Sequence, residues 1–258
     1  MVILFQKVVY AHFFLYLCRV IWISMRNIVF ILAGGTGSRV GGETPKQFLL
    51  LDDGRSILEH SVDAFEQSCF IHEIAIITHP DWMKATQDII DRNAWTKVTQ
   101  VIPGGQERWE SSWHAISAYL HEEKKDADTF YWFHDAARPF VSQAILTRVG
   151  EALKSHLAVT VAVPVTDTLY MVKGERLKVK GERTVESMPN RAQYMRAQTP
   201  QAFHYLVIGP AYMRALQQGK IEATDDVGIL MKYNPEVEVY IVEGEEDNKK
   251  ITYKEDLK

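Results

Sequence analysis

Cysteine is scarce. Only Cys18 and Cys69 occur in a chain of 258 residues, so no disulfide framework is expected and a reducing cytoplasm is the expected setting. Basic charge is not in excess: 29 Lys and Arg stand against 33 Asp and Glu, a net charge of −4. Binding nucleic acid without sequence preference needs a basic face, and this balance argues against it. No Pro- or Ser-rich linker divides the chain, and no His/Cys cluster suggests a dedicated metal cage. His79, His114 and His134 read as structural. No apolar run reaches the ~20 residues of a membrane span. In the most apolar stretch, residues 1–24, Lys7, His12 and Arg19 interrupt. That stretch has no acid and no clear small-residue cleavage site. It reads as an extension upstream of a true start at Met25, with a membrane-associated leader as the alternative. Its removal is expected to leave folding and activity intact.

What remains has ordinary globular values, 47% apolar and 24% charged. Residues 25–258 suffice for one large α/β domain. Short apolar runs at Ile28–Leu32, Glu73–Thr78, Val98–Ile102, Thr129–Phe133 and Ala158–Val163 have the length and β-branched or aromatic content of buried strands. Helical stretches fill the gaps. Leu58, Val62 and Phe65 share one face. Leu146, Val149 and Leu153 share another, behind Ser142 as N-cap. Asp81–Asn93 and Glu110–Glu123 supply two more. Strands separated by helices predict βαβ units and a largely parallel sheet covered on both faces. The charged segment 165–191 breaks the pattern and reads as a protruding, hairpin-like arm. Alternation resumes at Tyr205 and ends on an expected strand, Val237–Val242.

The segment Leu32-Ala-Gly-Gly-Thr-Gly-Ser-Arg-Val-Gly-Gly-Glu-Thr-Pro-Lys-Gln47 follows the first strand. In parallel α/β sheets, ligands bind beyond the carboxyl ends of the strands. Gly34, Gly35 and Gly37 let backbone N–H groups approach anionic oxygens. Arg39 and Lys46 add two positive charges, which suits a triphosphate. The dinucleotide fingerprint fails here, because the third glycine position after Gly35 and Gly37 falls on Val40. The P-loop pattern fails because Gln47 follows Lys46.

Ala33-Gly-Gly-Thr-Gly-Ser-Arg39 with Pro45-Lys-Gln-Phe-Leu49 resembles the signature of the sugar-phosphate nucleotidyltransferases. It is most similar to cytidylyltransferases acting on 2-C-methyl-D-erythritol 4-phosphate or ribitol 5-phosphate. Gly104-Gly-Gln-Glu-Arg-Trp-Glu-Ser111, His134-Asp-Ala-Ala-Arg-Pro-Phe140, Asp167-Thr168, Gln198-Thr-Pro-Gln-Ala-Phe203, Thr224-Asp-Asp226 and the stretch from Glu243 through Asp247-Asn-Lys-Lys-Ile-Thr252 follow in the family's order. The likeness covers residues 25–258. The family's usual further C-terminal helix has no counterpart after Glu255-Asp-Leu257.

The resemblance implies a Rossmann-like three-layer nucleotidyltransferase fold and transfer of a cytidylyl group from CTP, with release of pyrophosphate. It implies catalytic roles for Arg39, Lys46, Arg191 and Lys250. Leu32, Ala33, Gly34, Gly35, Thr36, Gly37, Gly105, Gln106 and Ser111 would bind the nucleotide. Asp135, Arg138, Thr168, Arg191, Thr224 and Lys250 would bind the sugar phosphate. Mg²⁺ would be held mainly by the CTP phosphates. The arm would cross to a second subunit of a homodimer. Thr224-Asp-Asp226 favours methylerythritol phosphate as acceptor, the precursor-forming step of non-mevalonate isoprenoid synthesis. The alternative is a ribitol 5-phosphate enzyme making CDP-ribitol for surface polymers. A non-catalytic nucleotide-binding module would be expected to lack Arg39 or Lys46, and both are present.

Overall fold

A computed structural model describes residues 25–35, 44–120, 128–173, 184–219 and 221–257. The strands among them are β1 (Met25–Ala33), β2 (Glu73–Thr78), β3 (Val98–Pro103), β4 (Asp128–Asp135), β5 (Ala158–Pro164), β6 (Met171–Val172), β7 (Val185–Ser187), β8 (Met195–His204) and β9 (Tyr240–Glu243). The helices of two turns or more are α1 (Ile57–Glu66), α2 (Met83–Asn93), α3 (Arg108–Leu120), α4 (Gln143–Ala152), α5 (Tyr205–Gln218) and α6 (Asp226–Tyr233).

Seven strands form one sheet in the order β3-β2-β1-β4-β8-β5-β9. The first four pair in parallel, as do β5 and β9. Between these blocks β8 runs antiparallel to both neighbours. Alternation along β1 explains the layers, since successive side chains point to opposite faces. Val29 and Ile31 pack under α1, α2 and α4 with Val62, Phe65, Ile89 and Val149. Ile28 and Phe30 pack under α3, α5 and α6 with Tyr119, Ile208, Tyr212 and Leu230. Each such buried side chain contributes roughly 1.5–3 kcal/mol relative to exposure. Trp132, Tyr119, Tyr131 and Phe133 are among the largest of them.

Local signals set the helix starts. Ser56 and Glu59 form a reciprocal capping box at α1, and Ser142 caps α4 by accepting from the Ile145 amide. Three element starts and one whole strand differ from the sequence-based expectation. Pro80–Trp82 is a separate single turn, so α2 starts only at Met83. Helix α3 starts at Arg108, before Glu110, because the Glu110 carboxylate folds back to accept from the amides of Gln106 and Glu107. Strand β9 starts at Tyr240, since Val237 closes a turn onto the Asn234 carbonyl. Strand β8 was not expected at all. In the expected arm, β6 pairs antiparallel with β7 as a separate two-stranded ladder. The 1–24 segment lies outside the described residues, and among these no helix is long and apolar enough to cross a membrane.

Candidate active site

The carboxyl ends of β1, β3 and β4 open onto a cavity of about 470 Å³. Its floor is loop backbone from Gly34, Gly35 and Gly105, and its walls carry Lys46, Arg108, Asp135, Thr224 and Lys250. Crowding explains the glycines of the second loop. A Cβ on Gly105 would lie 2.2 Å from Glu110 Cβ, and one on Gly104 would lie 3.0 Å from Ser111 Oγ. The Ser111 hydroxyl is buried and accepts from the Gly105 amide at 3.1 Å, fixing that loop against α3. Gln47, also buried, donates to the carbonyls of Ala33 and Gly35 and so tethers the first loop where it leaves β1. Next to it, Lys46 Nζ donates to the Ile251 carbonyl at 3.0 Å.

Asp135 ends β4 and is the centre of the charge network. Its Oδ2 accepts from Lys250 Nζ at 2.6 Å and its Oδ1 from Arg108 Nε at 3.2 Å. Arg108 Nη1 pairs in turn with Asp226 Oδ2 at 2.7 Å, and Asp226 Oδ1 accepts from the Tyr212 hydroxyl at 2.6 Å. Burial alone would raise the Asp135 carboxyl, but Arg108 and Lys250 outweigh it and hold the group well below the usual carboxylate range. Burial would likewise lower the Arg108 guanidinium, and Asp226 and Asp135 reverse that. Asp135 and Arg108 are therefore both charged at neutral pH.

Behind Asp135, the His134 ring bonds through both nitrogens. Nε2 lies 3.1 Å from the Arg138 carbonyl, which only accepts, so Nε2 carries the proton. Nδ1 then accepts from the Thr199 hydroxyl at 3.0 Å, and that hydroxyl accepts from the Asp135 amide at 3.2 Å. Burial pushes the His134 imidazole down to about 4. Its neutral form thus belongs to the folded structure.

Of the residues expected to bind the nucleotide, Leu32, Gly34, Gly35, Gly105, Gln106 and Ser111 line this cavity, as do Lys46, Asp135, Thr224 and Lys250. Ala33 is buried beneath it at the end of β1. Arg39, Thr36 and Gly37 lie outside the described residues. Arg138 does not line the cavity. Its Nη1 and Nη2 donate to the carbonyls of Asn248 and Ala197 at 2.8 and 3.1 Å, which anchors the chain leading to Lys250. Thr168 and Arg191 lie on the exposed arm segment and do not line this cavity, and the Arg191 guanidinium donates to the Thr166 carbonyl. Arg108, Gln47 and Asp226 fall inside the matched motifs, but their residue types alone predict no role there. The signal for Arg108 was weak, because nothing in the sequence places two carboxylates beside it.

Among the described residues, no group of three or more His, Cys, Asp or Glu could hold a metal ion. The carboxylates lining the cavity are Asp135 and Glu107, and both Asp135 oxygens are engaged. This donor set fits Mg²⁺ that arrives on a ligand's phosphates rather than a metal caged by side chains.

A family model described as 2-C-methyl-D-erythritol 4-phosphate cytidylyltransferase matches residues 27–258. A relative of that name from Thermobifida fusca (strain YX) is 39% identical over 227 residues, covering 88% of each chain. The bifunctional ribulose 5-phosphate reductase/CDP-ribitol pyrophosphorylase Bcs1 of Haemophilus influenzae is 37% identical, over 90% of this chain and 47% of that one. Among solved structures, the 4-diphosphocytidyl-2C-methyl-D-erythritol synthase of Anaerococcus prevotii DSM 20548 aligns with a TM-score of 0.75 and 25% identity, covering 92% of this chain and 95% of that one.

Proposed function

Since the chain belongs to the 2-C-methyl-D-erythritol 4-phosphate cytidylyltransferase family, we propose that the cavity at the strand ends is where its reaction takes place. The chain transfers a cytidylyl group from CTP to 2-C-methyl-D-erythritol 4-phosphate in isoprenoid precursor synthesis. One observation carries the assignment to this cavity. Glycine backbone and three cations, Lys46, Arg108 and Lys250, line it together, and two of those cations hold the ionised Asp135.

A phosphate oxygen of the acceptor attacks the α-phosphorus of CTP. A new P–O–P linkage forms, the α–β linkage breaks, and pyrophosphate leaves with the electron pair. A phosphate monoester has a second pKa of about 6, so it is largely dianionic at neutral pH and no base need remove a proton. The protein's task is to hold two polyanions together and stabilise charge at the reacting phosphorus. In this reading Lys46 and Arg39 face the α-phosphate. The 32–37 loop with Gly105, Gln106 and Ser111 holds the nucleotide, and Thr224 and Lys250 receive the acceptor. When bound on the CTP phosphates, Mg²⁺ supplies further charge neutralisation.

Thr168 and Arg191 fit this scheme as contributions to a partner's site. They do not line their own chain's cavity, and the arm beside them exposes Tyr170, Met171, Val185 and Met188. Exposed apolar side chains in a cluster favour a covered surface, which supports a homodimer joined through the arm. Scarce cysteine supports a cytoplasmic setting.

The experiment is direct. The protein is incubated with CTP and Mg²⁺, each polyol phosphate is offered in turn, and pyrophosphate is measured. Release with methylerythritol phosphate is expected. Preferential release with ribitol 5-phosphate would favour the second reading, which the likeness to the Haemophilus influenzae protein supports. No release with either would favour a binding module.

A further inference from the structure

We infer that Arg108 is a positioning residue that ties the nucleotide half of the cavity to the acceptor half, by holding Asp135 and Asp226 on two edges of one guanidinium. The inference rests on the reaction proposed above.

Arg108 belongs by sequence to the nucleotide side. It opens α3, directly after the loop that carries Gly105 and Gln106. Both of its partners belong to the acceptor side. Through Nε it holds Asp135, whose other oxygen holds Lys250. Through Nη1 it holds Asp226, the first residue of α6, and the loop entering α6 presents Thr224 to the cavity. Asp226 is fully buried and does not itself line the cavity. Its remaining oxygen is taken by Tyr212 and its amide by the Gln201 side chain at 3.2 Å. Arg108 Nη2 is buried without a hydrogen-bond partner among the described residues. Among the described residues the guanidinium is thus paired with these two carboxylates, hydrogen-bonded to Asp135 and in ionic contact with Asp226, as a strut between Lys250 and Thr224.

The charge balance gives the strut a direction of effect. Asp135 divides its charge between Arg108 and Lys250. Without Arg108, Asp135 would hold Lys250 alone and more tightly, leaving that ammonium less available to an incoming phosphate. Asp226 would be left buried with only a hydroxyl partner, a costly state for a carboxylate. Lysine could not replace the strut, because an ammonium lacks the planar fork that spans two carboxylates at fixed geometry.

The test uses steady-state kinetics with CTP and methylerythritol phosphate, and calorimetric binding of CTP, on wild type, Arg108→Gln, Arg108→Lys and Asp226→Asn. Arg108→Gln is expected to raise the acceptor KM about tenfold or more while CTP affinity stays within about threefold. Arg108→Lys should not restore the acceptor KM. Asp226→Asn, remote from both substrates, should shift the acceptor KM the same way, and the double variant should be no worse than Arg108→Gln alone. A loss of CTP affinity as large as the acceptor effect would assign Arg108 to the nucleotide and overturn the inference, as would a wild-type acceptor KM in Asp226→Asn. If Arg108→Gln fails to fold, Asp226→Asn and Tyr212→Phe decide on the same readout. Wild-type protein that releases no pyrophosphate would overturn the functional reading itself. Wild-type turnover with unshifted variants would overturn the strut alone.

Discussion

Lys250 Nζ and Asp135 Oδ2, 115 positions apart in the chain, meet at 2.6 Å inside the cavity. The pair brings the last described stretch of chain onto the end of a central strand. Asp135 serves two cations there, Arg108 and Lys250, and both line the cavity.

Replacing Asp135 by Asn should therefore cost both stability and turnover. Removing one partner of a buried charge network destabilises by about 3 kcal/mol, and Arg108 would be left facing Asp226 alone. Urea unfolding should show a lower midpoint, and acceptor kcat/KM should fall about tenfold or more. An unchanged midpoint would mean that the pair adds nothing to the fold.

His134 predicts a dependence on pH. Its folded-state pKa is lowered to about 4 by burial, against an ordinary value near 6.5. The unfolded chain takes up this proton near 6.5, while the folded chain resists until about 4. The contribution to stability is then full above about 6.5 and is lost as pH falls from there through about 4, amounting to about 3 kcal/mol. Thermal unfolding of wild type and His134→Gln across this range should give converging curves at low pH. Parallel curves would remove His134 as the cause.

Lys46→Ala should lower the turnover number about 100-fold and weaken CTP binding less. The ammonium is assigned to charge that grows in the transition state, so its loss belongs mainly in the rate constant. Single-turnover rates and equilibrium CTP binding separate the two. A turnover number within a few-fold of wild type would sink the assignment.

Arg191→Ala should raise the acceptor KM and lower turnover, with CTP affinity near wild type. Its guanidinium can hold a phosphate bidentately, so Arg191→Lys should rescue poorly. If the arm serves a partner's site, mixing this variant with Lys46→Ala restores activity, because one site of the mixed dimer escapes both lesions. Absence of complementation would return the arm to its own subunit.

The parallel half of the fold was legible in the sequence because its strands are apolar on both faces. Ile28–Leu32 and Glu73–Thr78 need no partner to be recognised. Strand β8 was hidden for the opposite reason. Its buried residues include Gln198, Thr199, Gln201 and His204, which are polar yet fully inside. They are buried because they serve loops of the site. Gln198 and Thr199 bond Asn248, Thr199 also bonds Asp135 and His134, and Gln201 bonds Asp225 and Asp226. The ladder with β5 shifts register between Thr160 and Val161, which leaves Thr199 and Pro200 without partners on that strand. A pattern search for apolar alternation does not register such a strand. The site shows the same division. The glycine loop, Lys46, Asp135 and Lys250 were readable from motif and charge. Arg138 bonds two backbone carbonyls and Arg108 lines the cavity, and neither was readable, because which carbonyl or carboxylate an arginine meets is decided by distant chain.

The place of β8 also governs when the molecule can take shape as it is made. Strands β1 to β4 each find a neighbour among themselves and can pair as soon as they leave the ribosome. Strand β5 cannot, since both of its neighbours, β8 and β9, lie later in the chain. Until residue 204 has emerged, the facing edges of β4 and β5 stand open, and open edges are templates for wrong pairing. Arrival of β8 closes both edges at once and in the same step delivers Thr199 to Asp135 and Gln201 to Asp226. A nascent chain stalled in the arm would carry Gly34, Gly35, Gly105 and Asp135 of the cavity but neither Thr224 nor Lys250.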